Sequence, residues 1–134
     1  MGGDYESVAY DGRDGHPLAF YTTEDAKRGP LTRFTPDDQS PGPHGKGKGI
    51  RGTGSYEYLV LENDGNGGDF WFASDRNDAN AEDAYPFAEG IDIRDGMLYF
   101  VSKRSKRLYI LDLDQETYES SSTESGAFDE VPNV

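Results

Sequence analysis

A chain of 134 residues has the length of one domain, and its 26 acidic against 13 basic residues give a net charge of −13. That balance excludes a nucleic-acid surface, which needs clustered Lys and Arg against phosphate, and leaves divalent cations as the charged partners it suits. The absence of cysteine excludes disulfides, thiolate metal sites and thiol catalysis, while no apolar run approaches the roughly 20 residues that cross a bilayer.

The opening MGGDYESVAYD has neither a basic segment nor an apolar core, so no signal peptide is visible in it. Residues 6–10 (ESVAY) read as a first strand, 18–21 (LAFY) as a second and 31–34 (LTRF) as a third. The stretch 36–55, PDDQSPGPHGKGKGIRGTGS, is nearly free of apolar side chains and heavy in Gly and Pro, the composition of an exposed insertion. Residues 56–62 (YEYLVLE) form an outer strand, which makes 1–62 one four-stranded unit. Residues 63–86 read as connecting loops. They contain a short helical turn at 79–84 and an apolar cluster, Phe70, Trp71 and Phe72, that must be buried.

A second unit occupies 87–126. Its strands are 89–93 (EGIDI), 98–101 (LYFV), 108–113 (LYILDL) and the polar 117–119 (TYE), which suits an outer edge. Asp95-Gly96 marks a tight hairpin turn, and residues 102–107 carry the turn of the next one. The two units follow the same plan, with 6–10 beside 89–93, 18–21 beside 98–101 and 31–34 beside 108–111, and self-similarity at long period marks repeat architectures. The expected fold is therefore all-β, built from antiparallel four-stranded blades of a β-propeller, with 127–134 beginning a next blade. Propellers close with four to eight blades. Two blades imply a fragment of a longer protein, copies that assemble into a ring, or an ordinary small sheet domain, and unpaired strand edges of an incomplete ring imply a stable partner.

Several stretches imitate known sites. Residues 42–48 fit the G-x-x-x-x-G-K of a phosphate loop, but Gly49 stands where Ser or Thr would hold magnesium, and no apolar strand precedes it. NDGNGGD (63–69) and DRNDANAED (75–83) supply oxygen ligands without the order of an EF-hand, and read as turns. His16 and His44 lie in turns away from any nucleophile pattern, and the run 102–107 concentrates four cations in one hairpin. The more informative arrangement is positional. Glu6 and Glu89 each stand at the start of the first strand of a unit, and Glu24-Asp25 end the second strand of the first. In a propeller these positions line the central channel, where carboxylates either converge on a hard cation or hydrogen-bond to neighbouring blades.

The combination YESVAYD followed by FYTTEDAKRGPLTRFTPD resembles the opening blade of PhoX-type alkaline phosphatases. FAEGIDIRDGMLYFVSKRSKRLYILDLD looks like a later blade of that group, and the closing FDEVPNV like the entry to the next. The resemblance implies a propeller with calcium held by Glu6, Glu24, Asp25 and Glu89, a phosphoester substrate, and a secreted or organellar setting. It also implies iron in the phosphatase members, but the cysteine among their iron ligands has no counterpart here, and Lys103 and Arg104 stand where the first unit has Glu24 and Asp25. A non-catalytic interaction or scaffold module in a larger assembly is the alternative expectation.

Overall fold

The computed structural model describes residues 5–39 and 53–123. The stretches 42–48 and 127–134, and His44 with them, lie outside the described residues. The domain is all-β. Strands β1 (Tyr5–Asp11), β2 (Ala19–Glu24), β3 (Thr32–Pro36), β4 (Gly54–Leu61) and β5 (Gly68–Ala73) are followed by a one-turn helix α1 (Ala81–Ala84). Strands β6 (Ala88–Arg94), β7 (Met97–Ser102), β8 (Arg107–Asp112) and β9 (Thr117–Ser122) complete the described chain.

All nine strands join one antiparallel sheet in the order β1-β2-β3-β4-β5-β9-β8-β7-β6. The sheet curls until its two end strands approach, with β6 packed against β1 and β2, which gives a nearly closed barrel. The β6–β7 hairpin turns at Asp95 and Gly96, both with positive φ (52° and 81°), the backbone that an Asp-Gly pair adopts at least cost. The next hairpin pairs Met97 with Asp112 through Ser102 with Arg107, as its sequence predicts.

Three features depart from expectation. Residues 68–73, read as part of a connecting loop, form β5, which carries the sheet from β4 across to β9. Two consecutive glycines with positive φ, Gly67 and Gly68, turn the chain into this strand, and alternation then sends Phe70 inward but leaves Trp71 about half exposed. Consequently β9, expected at an outer edge, is paired on both sides, and the two four-stranded units are continuous and not separate sheets. The two end strands of the sheet, β1 and β6, lie against each other.

The register of the repeat also differs. A bulge interrupts β1 between Tyr5 and Ser7, and another interrupts β6 between Glu89 and Ile91. Aligned on those bulges, Tyr21 matches Leu98, where the sequence pattern sets it beside Val101. A shift by an odd number of residues exchanges the faces of a strand. Tyr21 therefore points into the core and Phe20 away from it, and equivalent faces of both halves turn toward one interior.

That interior joins Tyr21, Leu31, Leu59, Leu61 and Phe70 of the first half to Leu98, Phe100, Tyr109, Leu111 and Tyr118 of the second. The Phe100 and Tyr109 rings stack at 4.8 Å, and Tyr85 meets Phe100 edge-on at 5.6 Å. Three tyrosine hydroxyls extend from this core to main-chain carbonyls: Tyr85 donates to Leu59, Tyr109 to Ala84 and Tyr118 to Glu62. Each satisfies a carbonyl that the ladder leaves over, which is why Tyr and not Phe occupies these sites.

Candidate functional site

The strand-end carboxylates Glu24, Asp25 and Glu89 are each met by a cation. β2 ends at Glu24, whose Oε2 accepts from Arg76 Nη2 at 3.0 Å. The next residue, Asp25, accepts through Oδ2 from Lys103 Nζ at 3.0 Å, and the same ammonium lies 3.5 Å from Glu89 Oε2. The hydrogen bond it donates to Asp25, together with the two negative charges, holds the Lys103 ammonium above its ordinary range. Main-chain bonds fix this geometry: Phe87 N–H donates to Ala26 and Phe87 carbonyl accepts from Lys103, so the end of β2 and the end of β7 share one bridging residue. Arg104 covers the Phe87 ring at 4.9 Å.

Asp25 and Glu89 thus share Lys103, while Glu24 is paired separately with Arg76. Glu6 occupies the bulge of β1, and its side chain lies outside the described residues. Asp25 Oδ1 is buried without a hydrogen-bond partner. Among the described residues no three His, Asp or Glu side chains converge in a way that could hold a metal ion. The two acidic loops serve as turns. Residues Glu62–Gly65 and Arg76–Asp78 are short 3-10 helices, and Asn80 pins the end of β4 by accepting from Leu61 N–H at 3.0 Å and donating to its carbonyl at 2.7 Å.

A second concavity escaped the sequence reading. It opens between the β1–β2 and β8–β9 turns, measures about 270 Å³, and has Ala19, Tyr21, Phe70 and Leu113 among its walls. Arg13 spans its rim. Its Nε and Nη2 donate to Asp11 at 2.9 Å, and its Nη1 and Nη2 donate to Asp114 at 3.0 and 3.1 Å. Burial pushes the Asp11 carboxyl up, yet the side-chain and backbone hydrogen bonds of Arg13 outweigh that and hold it below its usual value. His16, in its predicted turn, stands 3.5 Å from Asp114. Its lining comes from segments as distant as residues 11–21, 33–35, 70 and 113–116, so no local motif announces it.

The outer face of the first half is the third feature. Tyr10, Phe20, Phe34 and Tyr56 stand in direct register across β1 to β4. Tyr10 and Phe20 rings lie 6.1 Å apart, and Phe34 and Tyr56 rings 4.8 Å apart. The neighbouring row is Val8, Thr22, Thr32, Tyr58 and Ala73, with Val60 and Trp71 paired beside it. Neither row carries a charge; Phe34, Thr22, Thr32 and Val60 are buried, while Tyr10, Val8, Trp71 and Tyr56 are 58%, 55%, 47% and 36% exposed.

No family model, no curated protein and no solved structure matches the chain.

Proposed function

We propose that this chain is a non-catalytic interaction module that docks through the uncharged aromatic face of β1 to β5, and that the surface it meets is the same face of another copy. The supporting observation is that Val8, Tyr10, Tyr56 and Trp71, 55%, 58%, 36% and 47% exposed, share one sheet face whose rows through Tyr10 and Val8 carry no charge, in a chain of net charge −13. Exposed apolar side chains grouped on one face mark association sites, and aromatic residues are enriched there. Two copies of so acidic a chain repel one another everywhere except where no carboxylates face each other. The contact should therefore strengthen as salt screens the remaining charge.

Light scattering across a concentration series at low and high salt tests this. Trp71, the chain's single tryptophan, should show a blue-shifted emission as the mass rises, and Tyr10→Glu should abolish both changes. A mass that stays monomeric at every concentration and salt, with unchanged emission, overturns the reading.

A second reading keeps the calcium-binding segment of a PhoX-like protein, contributing ligands to a metal-dependent phosphoester hydrolase. The buried, unpartnered Asp25 Oδ1 favours it, since that oxygen lies in a carboxylate group where calcium could replace Lys103. Calcium bound there would supply charge to polarise a phosphoryl oxygen, and Glu24, Asp25 and Glu89 would hold it, with Glu6 as the fourth candidate. Calorimetric titration of Lys103→Met separates the two readings. Freed carboxylates should then take up calcium more tightly than the unaltered chain, whereas absence of saturable heat in both proteins eliminates the metal site.

A further inference from the structure

We infer that the cavity between the β1–β2 and β8–β9 turns binds a small organic cation with an apolar body. At about 270 Å³ it falls just below the range of sites for drug-sized ligands, so it suits a smaller molecule. Tyr21 and Phe70, nearly fully buried, offer aromatic surface, and mouths of β-barrels are recurrent places for such sites. Neither of these features fixes the sign of the ligand's charge. The rim does.

Two arginines, His16 and three carboxylates border the cavity, and all but one of them have a partner, His16 standing against Asp114. Arg13 is shared between Asp11 and Asp114, as described above. Arg33 donates from Nε and Nη2 to Glu57 at 3.1 and 2.8 Å, and its guanidinium lies 4.2 Å from the centre of the Phe72 ring. Glu116 alone among these charged groups has no ion pair or side-chain hydrogen bond within the described residues. Its backbone is nevertheless fixed: the N–H donates to Asp112 at 2.9 Å and the carbonyl accepts from Phe70 N–H at 3.1 Å. Glu116 is exposed and lines the cavity from a backbone fixed to that of Phe70. An ammonium with an apolar body bound in the cavity can reach that carboxylate while its body lies against the aromatic walls. An anion of the same shape gains neither, because both guanidinium groups are occupied and the chain's own field repels it.

This site is independent of the outer face, since Tyr21 and Phe20 point to opposite sides of β2, and the two can fail separately. Benzylammonium serves as the probe, with benzoate as its counterpart of opposite charge, followed by shifts of the Tyr21 and Phe70 ring signals in NMR titrations. Saturable binding of benzylammonium at about 1 mM or below is expected, a modest affinity in keeping with so small a ligand. Glu116→Gln should weaken it at least about fivefold, whereas Glu119→Gln, an exposed glutamate on β9, should leave it unchanged. The inference is overturned if benzoate binds as well as benzylammonium, if the two glutamate variants behave alike, or if no saturation occurs by about 20 mM.

Discussion

Arg13 ties Asp11, two residues away, to Asp114, 101 residues away, so one guanidinium clasps the first hairpin to the turn between the last two strands. Asp11 is buried, and without this partner its carboxylate would be stranded in the sheet. Arg13→Met should therefore lower unfolding stability by about 2–3 kcal/mol in urea titrations. Asp114→Asn should cost less, because water can replace its exposed partner.

The same clasp sets an acid limit. Asp11 and Asp114 both titrate below the ordinary 3.8 in the folded chain. Asp114 is held down first by its hydrogen bond from Arg13, and Asp11 by Arg13 against the pull of burial. A depressed carboxyl contributes stability that is complete above its unfolded value and is lost as pH falls through the folded one. The urea midpoint should thus decline below about pH 4. In Arg13→Met that contribution to the decline should vanish, which a comparison of the two pH profiles will show.

Gly96 lies beneath this clasp. Its φ of +81° is a backbone that side-chain-bearing residues adopt at a cost, and an added methyl would meet the Arg13 guanidinium. Gly96→Ala should cost about 1 kcal/mol from the backbone alone, and more while Arg13 is present. A double-mutant cycle with Arg13→Met should show the two losses to be less than additive; additive losses would mean that the guanidinium moves aside freely.

Much of this architecture is legible in the sequence. Asp95-Gly96 and the aromatic alternation of 97–102 and 107–112 specify their hairpins locally, and the structure follows them. β5 is less legible because its alternation leaves Trp71 outside, so the Phe70-Trp71-Phe72 run reads as a cluster to be buried whole. The repeat was visible, but its register depends on bulges at Glu6 and Gly90, which no residue type marks unambiguously, and three residues of slip exchange inside for outside. The strand-end places of Glu24, Asp25 and Glu89 are legible, and so is Lys103 as the cation standing where the first unit has Glu24 and Asp25. The pairing of Glu24 with Arg76 is not legible, since Arg76 arrives from the segment after β5, a strand that no local signal announces. The cavity at Arg13 depends wholly on tertiary approach.

The bond between β3 and β4 supplies the last test. Leu59 N–H donates to Leu31 carbonyl at 2.9 Å, but the reciprocal pair, Leu31 N–H and Leu59 carbonyl, is bridged by the Tyr85 hydroxyl. It accepts at 3.3 Å and donates at 2.5 Å. All three residues are fully buried, so water cannot take the hydroxyl's place. Tyr85→Phe keeps the ring against Phe100 and removes only the bridge, leaving two main-chain groups unsatisfied at a cost of about 2–3 kcal/mol. Hydrogen exchange at the Leu31 amide should accelerate more than the global loss explains. Burial also raises the Tyr85 phenol above its ordinary 10.0. A raised acid contributes stability that is present below its unfolded value and lost as pH climbs past it, so the unaltered chain should weaken above about pH 10 and Tyr85→Phe less steeply. Equal alkaline slopes, or an unchanged Leu31 exchange rate, would mean that β3 and β4 close the gap directly.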